Sequence, residues 1–232
     1  MSPSQDRDAL KRMAALKAVE YVRDGMVVGL GTGSTARHVV ELLGARVSAG
    51  LTMRGVPTSE ETADLARRAG IPLLSYEESW SIDVAIDGAD QVDPQLNLIK
   101  GGGGALVREK IVAAAARRLI IVVDHTKLVP VLGDSFPLPV EVISFGWPNT
   151  ARRIEALGGK AVIRERRGRI FTTESGNYIL DLHMGYLDDP ATLEIQLNRI
   201  PGVVESGLFV GQTDLLIVGT PRGVEVQEAA TQ

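Results

Sequence analysis

The chain has 232 residues, 44% hydrophobic and 23% charged, which excludes a disordered chain and allows one large core or a core with a smaller second domain. Its 25 Lys and Arg against 29 Asp and Glu give a net charge of -4, so nothing draws it generally to nucleic acid or to an anionic membrane, and any anionic ligand must be held locally. With no cysteine there is no disulfide, thiolate nucleophile or cysteine metal site; the opening MSPSQDRDALKRM lacks the apolar stretch of a signal peptide, and no run approaches the roughly 18 apolar residues of a membrane span, so a cytoplasmic protein is expected.

Leu10, Met13, Ala14, Leu16 and Tyr21 predict a helix over residues 8–23, followed by a buried strand over 26–30 that runs into Gly31-Thr-Gly-Ser-Thr-Ala36 and a second helix to about Leu43. Residues 51–56 form the next strand, and Thr58-Ser-Glu-Glu61 has capping-box spacing ahead of a helix that stops at Gly70. A strand over 82–86 ends at Asp87, an alanine-rich helix covers 105–118, and a strand over 119–123 delivers Asp124, His125 and Lys127 to its carboxyl end. This alternation predicts an α/β fold with a Rossmann-like, mostly parallel sheet, whose carboxyl edge is where such sheets bind ligands. Beyond Leu132 the prolines at 130, 137, 139 and 148 mark a change of character. Strand, helix, two strands, helix and strand over 139–143, 150–157, 160–165, 177–183, 191–199 and 203–210 give the order β-α-β-β-α-β of a ferredoxin-like plait. A buried strand over 214–219 can rejoin the first sheet. The expected organisation is a Rossmann-like catalytic domain over 1–132 plus 211–232, with an inserted α+β ferredoxin-like domain over 133–210 and a polar tail frayed from Glu225.

The densest chemistry is Lys100-Gly-Gly-Gly-Gly-Ala-Leu-Val-Arg-Glu109, shortly after Asp87-Gly-Ala-Asp90. Four consecutive glycines give up conformational entropy unless the backbone must approach something closely or take positive φ. Two sheet-edge aspartates, Lys100, the glycine cradle and the helix-borne Glu109 fall within 23 residues, an inventory suited to moving protons on a small anionic substrate. Taken singly, Asp87 to Asp90 reads equally as an Asx turn with an N-cap, and Lys100 and Glu109 as solvated charges; their coincidence at one strand edge favours a site. The turn at 31–36 matches the dinucleotide pattern G-x-G-x-x-A, but the next strand ends in Val56-Pro-Thr-Ser without an acid for ribose hydroxyls. Its hydroxyls at a helix start suit a terminal phosphate better. His38, His125 and His183 have no companions at metal-ligand spacing and read as structural or surface, so no metal is expected. Arg164, Arg166, Arg167 and Arg169 surround Gly168 without interleaved aromatics, as in a solvated hairpin tip.

The segments Gly29-Leu-Gly-Thr-Gly-Ser-Thr-Ala36, Asp87-Gly-Ala-Asp90, Lys100-Gly-Gly-Gly103 with Arg108-Glu-Lys110, Asp124-His-Thr-Lys127, Ser175-Gly-Asn-Tyr178 and Ile200-Pro-Gly-Val-Val204 resemble, in order and spacing, type A ribose-5-phosphate isomerases over nearly the whole chain. Gln91 departs from the acid that commonly follows the second aspartate, and Gly104 from a common alanine. The resemblance implies a metal-independent, cofactor-free interconversion of D-ribose 5-phosphate and D-ribulose 5-phosphate through an enediolate, in the non-oxidative branch of the pentose phosphate pathway. Glu109 is then the base between C2 and C1, and Asp87, Asp90 and Lys100 handle ring opening and the oxygens. Thr32, Gly33, Ser34, Thr35, Gly88, Ala89, Gly101, Gly102, Gly103 and Lys127 line the substrate and phosphate site, with Lys11 a further phosphate candidate. The partners implied are a sugar phosphate and further copies of the chain, as a homodimer or homotetramer, with no nucleic acid or membrane. From the residues alone, a hexose-phosphate isomerase or deaminase, a sugar-phosphate-sensing module and a dinucleotide-binding protein remain open; the sensor lacks a helix-turn-helix region.

Overall fold

The computed structural model describes residues 3–229, with side chains described over 6–229. In chain order, α1 (Pro3–Ala18) is followed by β1 (Met26–Leu30), α2 (Ser34–Ser48), β2 (Met53–Pro57), α3 (Glu60–Arg68), β3 (Val84–Asp87), β4 (Gln91–Val92), β5 (Leu98–Ile99), α4 (Leu106–Ala115) and β6 (Leu119–Asp124). Then come β7 (Leu138–Val142), α5 (Trp147–Glu155), β8 (Lys160–Ile163), β9 (Glu165–Arg166), β10 (Arg169–Ile170), β11 (Tyr178–His183), α6 (Pro190–Asn198), β12 (Val203–Ser206), β13 (Leu208–Phe209), β14 (Leu215–Thr220) and β15 (Gly223–Glu228). The chain divides into two compact units: one holds the residues up to Ala89, Arg108–Lys127 and those from Gln212 onward, the other Asp90–Val107 and Leu128–Gly211. The second unit thus includes 90–107 and 128–132, beyond the boundaries of 133–210 expected from the sequence.

The first unit is built on a six-stranded sheet in the order β15-β14-β6-β3-β1-β2, parallel except for β15. β6 and β14 are buried at every position, which is why they read as continuous apolar runs rather than alternating ones. Ala14, Ala15 and Ala18 of α1 and Val39, Val40 and Leu43 of α2 pack in one core with Val28, Leu30, Ile86, Ile120, Val122 and Ile217. Small side chains let α1 come close to the sheet: a Cβ on Gly219 of β14 would overlap the Leu10 carbonyl oxygen. Ser59 caps α3 by accepting the Thr62 N–H at 3.1 Å, one residue later than the expected box from Thr58 to Glu61.

In the second unit an antiparallel sheet runs β12-β7-β11-β8, so β7-α5-β8-β11-α6-β12 is the expected plait. Leu138, Val140, Val142, Ile154, Leu180, Leu182, Leu193 and Leu197 form its core. A small sheet in the order β13-β5-β4 accompanies it. The single strand expected over 203–210 is two: Ser206 pairs with Val140 of β7, whereas Leu208 pairs with Ile99 of β5. The tail is not frayed from Glu225. Val224, Glu225, Val226, Gln227 and Glu228 pair along β14 as its antiparallel edge, because ladder hydrogen bonds need no apolar side chains on a solvent-facing strand.

The close approach of α1 to β14 makes Gly219→Ala a direct test of the packing. The substitution is expected to cost about 1–3 kcal/mol, the usual range for overpacking a filled core, and to lower the urea midpoint without changing the far-UV spectrum of the native state. A midpoint equal to that of the unsubstituted protein would contradict this packing.

Candidate active site

In the first unit most candidate residues stand at the carboxyl ends of β1, β3 and β6, with Lys11 on α1 and Glu109 on α4. Asp87 ends β3, and its Oδ1 accepts the N–H of Thr32 at 3.1 Å and of Gly88 at 2.7 Å. The turn after β1 must pass close to this carboxylate: a Cβ on Gly31 would overlap Asp87 Oδ1, so residue 31 can only be glycine if Asp87 keeps its place. Gly33, at φ 102°, then starts α2 without any side-chain cap, and the first-turn N–H groups form an end at which a negative group is favoured. Ser34 Oγ accepts the Lys11 ammonium at 2.9 Å, which brings together two of the residues expected at a phosphate. Thr35 is buried, and a Cβ on Gly88 would lie 3.9 Å from its own Cβ.

The Thr32 hydroxyl meets three others, at the end of β2 and the start of α3. It lies 2.7 Å from Thr58 Oγ1, 2.9 Å from Ser59 Oγ and 3.3 Å from Thr62 Oγ1, while Thr62 donates to the Gly31 carbonyl at 2.9 Å and Thr58 to that of Leu30 at 3.1 Å. The hydroxyl therefore ties the ends of β1 and β2 to the start of α3. The sequence marked Thr58 and Ser59 only as part of a capping box and did not mark Thr62, although the Val56-Pro-Thr-Ser end of β2 carried the signal. Asp124 closes the turn after β6 by accepting the Thr126 N–H at 3.0 Å, and Lys127 lies in that turn. His38 bonds Asp8 at 2.9 Å, in keeping with a structural role. Glu109 lies in the first turn of α4, where the helix dipole favours a carboxylate.

In the second unit, Asp90 and Lys100 flank the paired strands β4 and β5: the Asp90 N–H donates to the Ile99 carbonyl at 2.8 Å, and the Lys100 N–H to that of Gly207 at 2.9 Å. The Lys100 ammonium lies 5.5 Å from the centroid of the Phe209 ring, within the range of a cation–π attraction. After Lys100 the glycine loop turns, with Gly104 N–H donating to the Gly101 carbonyl at 3.0 Å and Gly102 N–H to Asp90 Oδ2 at 2.8 Å. Gly104 has φ 92° and faces the Phe171 ring at 2.5 Å from an ideal Cβ, so alanine would be strained there. Gln91, the other departure from the family pattern, accepts the Gly133 N–H at 2.7 Å through Oε1.

The arginine cluster is not simply a solvated tip. Arg167 and Gly168 do form the exposed turn, at φ 53° and 71°, between β9 and β10. Arg164, however, has a side chain only 10% exposed, ion-paired to Asp181 and donating to the Gly101 carbonyl at 2.7 Å. Arg166 donates to the Gly103 carbonyl at 2.9 Å with its guanidinium 4.1 Å from the centroid of the Phe171 ring. Spacing shows a charge run but not which of its members meet backbone carbonyls.

Asp87, Lys100 and Glu109 are 5%, 3% and 6% exposed. Charged side chains are seldom buried to this extent unless they are paired. Among the described residues no group of three or more His, Asp or Glu is arranged to hold a metal ion, and no helix is long and apolar enough to cross a membrane.

The family model described as ribose 5-phosphate isomerase A (phosphoriboisomerase A) matches residues 54–223. Ribose-5-phosphate isomerase A of Gloeobacter violaceus is 56% identical over 222 residues, covering 95% of this chain and 96% of its own. The Bradyrhizobium diazoefficiens protein of the same name is 52% identical over 232 residues, with the same shares. A D-ribose-5-phosphate isomerase solved in complex with phospho-erythronic acid superposes with a TM-score of 0.93 at 42% identity, covering 96% of this chain and 99% of that one. With these relatives, the matched glycine loop and the buried carboxylates and lysine, the chain belongs to the ribose 5-phosphate isomerase A family.

Proposed function

We infer that this enzyme interconverts D-ribose 5-phosphate and D-ribulose 5-phosphate by proton transfer through an enediolate. The observation that carries the inference is the burial of two carboxylates, Asp87 and Glu109, and one ammonium, Lys100, in a chain of this family. The Glu109 carboxylate takes the C2 hydrogen of the open-chain aldose as a proton, and the C2–H electrons form the C1=C2 bond while the carbonyl pair moves onto O1. The resulting enediolate carries a negative charge that needs donors already in place, a requirement that can exceed the contribution of the base. Lys100 and the Gly103 N–H supply them, the Gly102 N–H being given to Asp90 Oδ2. Asp87 or Asp90 carries the hydroxyl proton from O2 to O1, and Glu109 returns its proton to C1 to give the ketose. The same two aspartates open the sugar ring.

The phosphate is assigned to the uncapped start of α2 at Gly33, Ser34 and Thr35, with Lys11 and Lys127 as cations; Thr32, Gly88 and Ala89 complete the lining through the backbone. Binding energy gained at this group orients the reacting carbons without being consumed in the chemistry. A cytoplasmic location and association into two or four copies belong to the same inference. Exposed Tyr76 and Ile111, which border an apolar cavity of about 200 Å3 with Trp80 and Val112, support association.

Glu109→Gln keeps shape and removes the base. Its kcat is expected to fall by at least about 10²-fold while phospho-erythronic acid, measured by calorimetry, still binds. Undiminished turnover in this variant would overturn the assignment of Glu109, and an unsubstituted protein that binds the acid without turning over ribose 5-phosphate would make the chain a sensor.

A further inference from the structure

Four glycines in a row have the freedom to adopt many shapes, yet the loop from Gly101 to Gly104 is held from one side by two arginines of the same unit. No cis peptide bond occurs among the described residues, so in each planar unit the carbonyl oxygen and the N–H point in opposite directions. The unit joining Gly101 to Gly102 receives Arg164 Nη1 on its oxygen at 2.7 Å and offers its N–H to Asp90 Oδ2 at 2.8 Å. The next unit has Arg164 Nη1 at 3.3 Å and Arg166 Nη2 at 3.5 Å from its oxygen, so the Gly103 N–H is turned away from both arginines. The third has Arg166 Nη2 on the Gly103 oxygen at 2.9 Å. Arg164 is itself gripped by Asp181 of β11, which accepts from Nε at 2.9 Å and from Nη2. Arg166 is steadied over the Phe171 ring, the same ring that fills the space beside Gly104.

We propose that Arg164, fixed by Asp181 and assisted by Arg166, is a positioning residue for the isomerisation: it sets the glycine-loop peptide planes and so aims the Asp90 carboxylate and the Gly103 N–H at the substrate. The inference rests on the assignment of Asp90 and the glycine loop to the substrate site. Two physical effects act together. A guanidinium on a carbonyl oxygen restricts rotation of the whole peptide unit, removing freedom that glycine would otherwise keep. It also polarises that unit, making the N–H on the far side a stronger donor to an anion. Lysine cannot replace it, since one point charge cannot hold the carboxylate with two bonds and the carbonyls with a third.

The test compares Arg164→Lys with the double variant Arg164→Met/Asp181→Leu, in which removing both partners leaves no lone charge in a largely buried place. Thermal midpoint, kcat, KM and hydrogen exchange of the Gly102 and Gly103 amides are measured on each. The double variant is expected to stay folded, to lose about 10–100-fold in kcat, as a misplacement on the order of 1 Å does, and to keep KM within about threefold. Its Gly102 and Gly103 amides should exchange faster, and Arg164→Lys should fall between it and the unsubstituted enzyme. Undiminished kcat per folded molecule, a loss that follows only the unfolded fraction, or unchanged exchange at both amides would overturn the proposal. The underlying assignment fails separately: a Glu109→Gln variant that retains turnover removes the site itself, whereas an inactive Glu109→Gln beside a fully active Arg164 double variant removes only the positioning role.

Discussion

The carboxylate of Asp87 occupies the volume that a side chain on residue 31 would need, and the first unit is arranged around that exchange. A buried carboxylate must be surrounded by donors, and here they include the N–H groups of Thr32 and Gly88, supplied by two strand ends lying side by side in a parallel sheet. The chain can make that approach only through glycine at 31. Once the turn is fixed there, Gly33 begins α2 with its N–H groups uncapped, and Thr32 is left to direct its hydroxyl toward Thr58, Ser59 and Thr62. One close contact thus sets the position of Asp87, the helix start proposed for the phosphate and the clasp between β1, β2 and α3.

The second unit solves a different problem. A loop of glycines exposes its carbonyls and has no side chains with which to satisfy them, so partners must come from elsewhere. Arg164 and Arg166 provide them from the segment between β8 and β10, and Asp181 holds the first arginine. The same economy appears at Glu141 of β7, buried in the plait, which accepts from Thr173 Oγ1 and Asn177 Nδ2 at 2.9 Å each. These bonds fix the turn that contains Ser175, Gly176 and Asn177, a segment the family resemblance singled out without giving it a role. In both places a charged group of the plait organises a backbone turn rather than a ligand.

The parallel strands were legible because burial on both faces forces continuous apolar runs, and β6 and β14 carry them without interruption. The plait was legible from the order of its elements. The edge strand β15 was not, because its exposed Glu225, Gln227 and Glu228 have the composition of a tail, and only the register with β14 makes them a strand. The division between β12 and β13 was equally invisible, since β5, the partner of β13, is two residues long and has no period to detect. Among the candidate residues, Asp87, Lys100 and Glu109 stood out because glycine-rich turns bracket them. Arg164 did not, as its partners are backbone carbonyls 62 and 63 residues away, and no residue type marks a carbonyl as awaiting a donor. The direction of the Thr32 hydroxyl was hidden for a similar reason: Thr58 becomes its neighbour only when β2 is laid beside β1.

Proton transfer by carboxylates and a lysine, needing no further chemical group, is the centre of this account. It is tested most directly by treating the purified protein with EDTA, supplying ribose 5-phosphate in deuterated water, and following ketose formation together with deuterium at C1. Ketose carrying at least partial solvent label at C1 is the predicted result, because a carboxylic acid that holds the abstracted proton exchanges it with solvent before returning it. Turnover abolished by the chelator and restored by a metal ion would contradict the account, as would ketose formed wholly without label while the C2 hydrogen passes intact to C1.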